Sequence, residues 1–257
     1  MPFSSVVLSS ADIAASVAFY RTFLRAELIG PATDECADLD VLNGSIHLVR
    51  VAADAPASTW EADDRQRGFR HVGFKVDRLE PWTTPMQLAG VRFHIEPRDA
   101  VAGLRIAFFY DPDGTLLEFV EGNAEYAQVL DAAAVASERA LDVPVRPRFD
   151  HVAMTVADVD STVERYRPLG FVPFGTLEFP GDERGLHITA LRCSDTVLEL
   201  FEFTDPTRVR APQLGCLGFQ FAVLAGAQFD VGFVPVAVTA DGAVVRADPE
   251  GLLLAAT

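Results

Sequence analysis

The sequence predicts an α+β fold built from four related units that are arranged in two halves. Two internal matches support this. The segments FSSVVLSSADIAASVAFYRTFL and FDHVAMTVADVDSTVERYRPLGF both read as a short strand, an acidic residue at a helix entry (Asp12 and Asp158) and an amphipathic helix. The segments DPDGTLLEF and DPEGLLLAA both read as an Asp-Pro turn with a glycine, followed by a terminal strand.

Each unit follows the order strand–helix–strand–strand–strand. The units start near Phe3, Phe69, Phe149 and Gly215. The fourth unit is shortened, and the helical pattern of its segment LAGAQFDVGFVPVAV is weak. We therefore expect one domain over residues 1–122 (units one and two) and another over residues 149–257 (units three and four). Residues 123–148 form the predicted linker, which is helical in its alanine-rich part up to about Leu141 and extended through DVPVRPR.

Composition excludes several classes of function. Of the 257 residues 49% are hydrophobic, which is enough for a packed core, and the formal net charge of −16 argues against nucleic acid or an anionic membrane surface as a partner. No apolar run approaches the roughly 18 residues that a membrane span requires, and the N-terminus does not resemble a signal peptide. The three cysteines are scattered and follow no metal-binding or redox motif. These features predict a cytoplasmic protein with reduced thiols.

Two predicted strands place a histidine opposite their apolar face. In RHVGFKV, His71 lies on the face that it shares with Gly73 and Lys75, away from the apolar residues between them. In DHVAMTV, His151 has the same position. Two later strands, TLLEFVE and TVLELFE, carry glutamates in apolar surroundings, and a buried carboxylate is costly unless it is paired, hydrogen-bonded or bound to a metal.

With these residues the four units resemble the βαβββ modules of the vicinal-oxygen-chelate superfamily, which includes glyoxalase I, extradiol dioxygenases, fosfomycin-resistance enzymes, bleomycin-binding proteins and epimerases. The resemblance covers nearly the whole chain and is strongest at the unit starts and at DPDGTLLEF. It implies tandem modules that form two curved, incompletely closed mixed β-sheets with flanking helices. It also implies that a module donates a histidine from its first strand and a glutamate from its last strand, and that two modules surround one metal ion.

The two middle modules keep the full pair of ligands. His71 and Glu118 are 47 residues apart, and His151 and Glu199 are 48 apart. The matching positions are Ser5 and His47 in module one and Cys216 and Ala255 in module four. By resemblance to four-module glyoxalase I, module two pairs with three and one with four, which assembles a site from His71, Glu118, His151 and Glu199 and leaves a degenerate second site. Pairing of one with two and of three with four remains an alternative, and would break both sites.

The resemblance implies one divalent metal ion (Zn, Ni, Co, Mn or Fe), because two imidazoles and two carboxylates suit such ions. The ion acts as a Lewis acid while a metal-bound glutamate, Glu118 or Glu199, serves as the base. We expect a lyase or isomerase (epimerase) that moves a proton in a small molecule chelated through vicinal oxygens. No glutathione site is apparent. The alternatives are a ring-cleaving extradiol dioxygenase and a metal-free small-molecule binding protein of the bleomycin-resistance kind. A monomer or a homodimer is expected.

Other polar residues are interpreted as structural. We interpret His47 as a relic, His94 and His187 as surface or pocket-lining residues, and the segment from Asp111 to Gly114 as a turn. Glu121 and Glu202 are expected to be solvated at the strand edges. Four arginines are placed outside the site: Arg70, Arg105, Arg184 and Arg192.

Overall fold

The fold was analysed in a computed structural model, which describes residues 3–52, 54–58, 65–209, 214–230 and 232–256. The strands are β1 (Phe3–Ser10), β2 (Glu27–Leu28), β3 (Cys36–Asp40), β4 (Ser45–Arg50), β5 (Gly68–Val76), β6 (Phe93–Asp99), β7 (Arg105–Tyr110), β8 (Leu116–Glu121), β9 (Gln128–Val129), β10 (Arg148–Thr155), β11 (Val172–Glu178), β12 (His187–Cys193), β13 (Thr196–Glu202), β14 (Gly218–Leu224), β15 (Val234–Val238), β16 (Val244–Ala247) and β17 (Leu253–Ala256). The helices are α1 (Ile13–Phe23), α2 (Glu80–Leu88), α3 (Ala132–Arg139) and α4 (Val159–Tyr166).

The strands form two mixed sheets. The nine-stranded sheet has the order β6-β7-β8-β5-β10-β13-β12-β11-β9 and so combines modules two and three. The eight-stranded sheet has the order β15-β16-β17-β14-β1-β4-β3-β2 and combines modules one and four. In each sheet the first strands of the two modules pair antiparallel at the centre. The pairing of two with three and of one with four is therefore the one present, and each half of the sequence contributes to both sheets.

Local sequence explains where the helices begin. The side chain of Asp12 accepts a hydrogen bond from the amide of Ala15 at the start of α1, and Asp158 accepts one from Ser161 at the start of α4. Both acidic residues are the predicted helix entries, and both predictions are confirmed.

The predicted linker helix is wrong in its extent. Only Ala132–Arg139 is helical, and Gln128–Val129 forms β9, which pairs with β11 at the edge of the nine-stranded sheet. The alanine content favours a helix, but the residues before Asp131 can instead form hydrogen bonds with the free edge of β11 and so become a strand. In module four, the described residues between β14 and β15 contain no helix, in line with the weak pattern there.

The main core lies between the sheets and the helices, and it takes up one face of each central strand. In β5, for example, Val72, Phe74 and Val76 are buried in this core, while His71 lies on the opposite face, as alternation predicts. The stacked rings of Phe69 and Phe219 join modules two and four. Among the described residues, no helix combines the length and the apolar character that crossing a membrane would need.

Two buried tyrosine–aspartate hydrogen bonds connect the sheets. Tyr20 of α1 donates to Asp111 at 2.7 Å, and Tyr166 of α4 donates to Asp248 at 2.9 Å. Each aspartate also accepts backbone amides of its own Asp-Pro turn, so the predicted turn is confirmed and is anchored to a helix of a neighbouring module. Burial raises the pKa of both aspartates to about 6.

The interpretation of Glu121 and Glu202 as solvated edge residues is wrong. Glu121 accepts the amide of Leu79 at the start of α2 (2.8 Å) and pairs with Arg105 (3.0 Å), and Glu202 accepts the amide of Val159 at the start of α4 (2.9 Å). A carboxylate stabilises the first turn of a helix, where amides lack partners within the helix. Each of these glutamates therefore fixes a helix against the last strand of its own module.

Candidate metal centre

The four predicted ligands meet on one face at the centre of the nine-stranded sheet. The register between β5 and β10 places His151 opposite Gly73. Gly73 in turn pairs with Glu118 of β8, and Ala153 pairs with Glu199 of β13. The histidines therefore lie on the two central strands, and a glutamate lies on the strand outside each of them.

The ligand atoms are close together. The Nε2 atoms of His71 and His151 are 3.0 Å apart. One oxygen of Glu118 lies 3.1 Å from the first and 3.0 Å from the second. An oxygen of Glu199 lies 3.6 Å from Nε2 of His151. Sequence reasoning thus identified a set of residues that the fold brings into contact.

The residues fit a divalent metal ion. Ligand atoms at neighbouring positions around an ion with bonds of about 2.1 Å are about 3.0 Å apart in octahedral geometry, close to the separations among the two imidazoles and Glu118. His71, His151 and Glu199 each offer one ligand atom within 4.8 Å of the others. Nitrogen and carboxylate donors together suit a borderline ion rather than Ca²⁺ or Mg²⁺.

A bulge in each central strand adds a charged residue to the same face. The pairing of β5 with β10 skips Arg70 in one strand and Asp150 in the other. Each of these residues directly precedes a ligand histidine and has no partner on the opposite strand. A bulge turns the extra side chain to the face of its neighbour, and both side chains line the cavity described below. In the sequence Arg70 was placed outside the site because scattered arginines are usually solvated, and Asp150 was not considered, since strict alternation would put it in the core.

His151 is fixed in orientation from two sides. Its Nδ1 lies 3.1 Å from Asp150, which sets the tautomer that leaves Nε2 for an ion. On the opposite strand, a Cβ at Gly73 would lie under 3.0 Å from three ring atoms of His151, so only glycine leaves room for the imidazole. His71 is different, because its Nδ1 is buried without a hydrogen-bond partner.

The two glutamates differ in electrostatics. Burial disfavours the charged form of Glu118, but hydrogen bonds from His151 and His71 outweigh burial and lower its pKa to about 2. Burial raises the pKa of Glu199 to about 7. Burial likewise lowers the pKa of His71 to about 4, whereas Glu199, Asp150 and Glu118 outweigh burial at His151 and raise its pKa well above the usual value. Burial and the neighbouring carboxylates thus favour the protonated form of Glu199, whereas the hydrogen bonds from the two histidines favour the charged form of Glu118.

The four residues lie in a cavity of about 270 Å³. Its walls are mostly apolar, and they include Leu104, Ile106, Phe108, Leu177, Phe179, Leu186, Ile188 and Phe201. The linker contributes Tyr126 and Glu138, whose side chains are hydrogen-bonded at 2.9 Å. Neither was predicted, since they belong to no module. The pairing of β9 with β11 brings this part of the linker to the cavity.

A family model described as the Glyoxalase/Bleomycin resistance protein/Dioxygenase superfamily matches residues 3–119 and 148–251. The chain belongs to this superfamily. Glyoxalase I from Zea mays is similar over 99% of this chain and 91% of its own, with a TM-score of 0.69 and 17% identity. A candidate dioxygenase from Bacillus subtilis is similar over 100% of this chain and 85% of its own, with a TM-score of 0.64 and 16% identity. At these identities the likeness concerns the fold. A comparison with curated proteins gave no match.

The strand pairing shows that one prediction for module four was wrong. In β14 the residue equivalent to the histidines is Phe221, not Cys216, because Val223 pairs with Ala255 as Ala153 pairs with Glu199. Cys216 precedes the strand. The register between β1 and β14 shifts around Ser4 and Gln220, directly before Ser5 and Phe221, as it does before each histidine. Two similar segments in one chain are easily aligned with an offset when no ladder fixes the register.

The second sheet carries an apolar cluster where the first has its ligands. Phe221 and Ala255 pack with four other buried residues: Val7, Val223, Val245 and Leu253. His47 lies beside them, and its Nδ1 is 2.6 Å from Asp38. These positions offer one imidazole in place of the four donors of the other sheet, which fits the expected degenerate site.

Some of the other histidines and arginines considered in the sequence line the cavity, and others do not. His94 lines the cavity together with Arg70 and Arg184, two arginines that sequence reasoning had placed outside the site. Arg105 binds the carboxylates of Glu80, Asp99 and Glu121, which is a structural role. His187 and Arg192 do not line this cavity.

Proposed function

We propose that the protein is a metal-dependent enzyme that transfers a proton within a small molecule, in a lyase or isomerase reaction, and that the molecule chelates the ion through two neighbouring oxygens. The observation that carries this proposal is the position of two imidazoles and two carboxylates in one cavity, where Glu118 contacts both histidines and Glu199 lies within 4.8 Å of them. His71, Glu118, His151 and Glu199 would hold the ion. Both pairs come from one chain, so the site needs no residue from a second subunit.

A divalent ion bound there would act as a Lewis acid on a carbonyl oxygen of the substrate. The protein residues must then hold the substrate, exclude water and move one proton. Phe108 and Phe201 pack edge-on against the ring of His71 and lower the local polarity, which strengthens electrostatic interactions at the ligands.

The two glutamates are suited to different roles. Glu118 contacts both imidazoles, and its side chain is only 7% exposed to solvent, so it is a fixed ligand. Glu199 lies at the longer distance of 3.6 Å from one imidazole, and its side chain is 20% exposed to solvent. A carboxylate at the longer distance and with more exposure is the one that can reach a substrate and exchange a proton with it. We therefore assign the role of base to Glu199.

Two alternatives have less support. An extradiol-type dioxygenase would use two histidines and one carboxylate with open positions, whereas Glu118 adds a second carboxylate against both imidazoles. A metal-free binding protein has no use for four ligand side chains of which three are buried, and in the second sheet of this same chain two apolar residues, Phe221 and Ala255, stand at the positions of one histidine and one glutamate.

Metal content tests the proposal. Protein purified without chelator is analysed for bound ions as the wild type, Glu118→Ala and Glu199→Ala, with His47→Ala in the second sheet as the matched control. We expect about one divalent ion per chain in the wild type and the control, and loss of the ion in both glutamate variants. Absence of metal from the wild type after reconstitution would contradict the proposal and favour the metal-free binding protein.

Proton transfer is tested separately with loaded protein. Solvent deuterium exchange into α-hydroxycarbonyl compounds is followed by proton NMR, with Glu199→Gln as the variant that keeps the ligand oxygen but cannot accept the proton. Exchange is expected in the wild type and not in Glu199→Gln. Consumption of oxygen with a catechol would favour the dioxygenase instead.

A further inference from the structure

The charged residues around the metal ligands divide between two ends of the cavity. Along the antiparallel pair of β5 and β10, Arg70 lies towards the end at which Gly68 pairs with Thr155, whereas Asp150 lies near the end at which Lys75 pairs with Arg148. The ligands lie between these ends. The cavity is therefore electrically asymmetric along the strands, although its two modules are related.

Arg70 is positioned by its surroundings for a ligand in the cavity. The bulge turns its side chain to the face of His71, and the guanidinium carbon lies 4.1 Å from the centre of the Phe201 ring. One of its nitrogens donates to Thr155 at 3.2 Å. Stacking and a side-chain hydrogen bond hold the plane of a guanidinium, which presents its donors to a planar oxyanion.

From this geometry we infer that the substrate carries a carboxylate or similar planar acid group, which Arg70 binds while the neighbouring oxygens of the same molecule face the four ligands. This inference rests on the proposed function, and it adds the charge and the orientation of the substrate. Arg184 and Arg98 line the same cavity, but Arg184 lies in the loop between β11 and β12, where it pairs with Asp182, and Arg98 is exposed. Arg70 directly precedes the ligand His71, and its guanidinium stacks on Phe201 beside the ligands. We therefore assign the recognition to Arg70.

The opposite end of the cavity carries charges of both signs. The carboxylates of Asp150 and Glu138 line it, and so does Lys75, whose ammonium donates to the carbonyl of Gly122. Two carboxylates offset the positive charge of Lys75 there, so the end at Arg70 is the better place for an acid group.

The apolar walls define the rest of the substrate. Phe108, Ile188 and Phe201 lie on strands next to the ligands, and the guanidinium of Arg70 stacks on the ring of Phe201. A chain with a net charge of −16 repels anions at long range. An acid group is therefore accepted only through a local cation. The fitting substrate class is a small, partly apolar acid with two vicinal oxygens.

Two chelating probes that differ by one carboxylate test this inference. Catechol and 3,4-dihydroxybenzoate are titrated into zinc-loaded protein by calorimetry, and the ratio of their dissociation constants is compared between the wild type and Arg70→Gln. Arg70→Lys keeps the charge. Arg78→Gln is the matched control, because Arg78 is exposed and does not line the cavity.

We expect the carboxylate to tighten binding about tenfold or more in the wild type and in Arg78→Gln, which is typical of a hydrogen bond between charged groups. The gain should vanish in Arg70→Gln and be partly kept in Arg70→Lys. Zinc content and thermal unfolding of each variant show that the site and the fold are retained. A ratio that is equal in the wild type and Arg70→Gln overturns the inference.

A failure of metal binding is distinguished by a second pair of probes. Benzoate and benzamide do not depend on chelation, and they are compared in metal-free protein with the same variants. A preference for benzoate that Arg70→Gln abolishes would support the acid-binding end even if the protein held no zinc. Equal binding of the two probes would overturn the inference independently of the metal.

Discussion

Gly73 is the most informative position for a substitution, because it separates the placement of His151 from its chemistry. An alanine Cβ at this position would lie under 3.0 Å from three atoms of the His151 ring, whereas ordinary contact begins at 3.4 Å. The nearest ring atom must therefore move by about 1.4 Å to reach ordinary contact, and metal–ligand distances tolerate only about 0.2 Å. The ring is also held by Asp150 at 3.1 Å, so a rotation costs this hydrogen bond as well.

We expect Gly73→Ala to weaken binding of Zn²⁺ or Co²⁺ by about 100-fold or more, since loss of a hydrogen bond to a ligand alone costs about 10–100-fold. The assay is competition with a chromophoric chelator at fixed pH. Gly181→Ala is the control, because Gly181 has no atom within 4 Å of the added Cβ. Destabilisation of the fold by overpacking is expected to be about 1–3 kcal/mol and is measured by urea unfolding.

Wild-type affinity and stoichiometry in Gly73→Ala would refute this reasoning, because they would mean that His151 does not bind the ion in the position described. A loss of affinity in Gly181→Ala of the same size would refute it too, since the effect would then not be specific to the ring.

Three further predictions concern the support of the site and of the fold. Asp150→Asn should weaken metal binding about 10–100-fold in the same competition assay, because a neutral amide holds the His151 tautomer less strongly; unchanged affinity would contradict this role. Tyr166→Phe should lower the free energy of unfolding by about 1.5–3 kcal/mol, as expected for a buried hydrogen bond to an acidic group, and a loss below 0.5 kcal/mol in urea unfolding would speak against it. The third prediction is a pH dependence. The pKa of Asp111 rises from 3.8 to about 6 on folding, so the folded state favours the protonated acid. Its contribution of about 3 kcal/mol is present below pH 4 and is lost as the pH rises through 6. The stability difference between the wild type and Asp111→Asn should accordingly fall between pH 4 and pH 7, and a difference independent of pH would exclude this linkage.

Much of the fold follows from patterns that are local in the sequence. Alternation placed His71 away from the apolar face of its strand, and the acidic residue before each apolar periodicity marked the start of α1 and α4. Repetition of the unit then aligned the His–Glu pairs of the middle modules. Local patterns failed for the linker, where the hydrogen-bonding edge of β11 turned Gln128–Val129 into a strand.

The module order and two matching His–Glu pairs could be read from strand alternation and the internal repeat, and the resemblance to the superfamily marked these pairs as candidate ligands. The three-dimensional structure was needed to show that module two pairs with three, so that the four residues meet, that Phe221 rather than Cys216 is the fourth equivalent position, and that Arg70 and Asp150 face the cavity. These features share one cause. Partner choice, register and bulges are properties of hydrogen-bonded ladders between strands far apart in the chain, and no residue pattern within one strand encodes them.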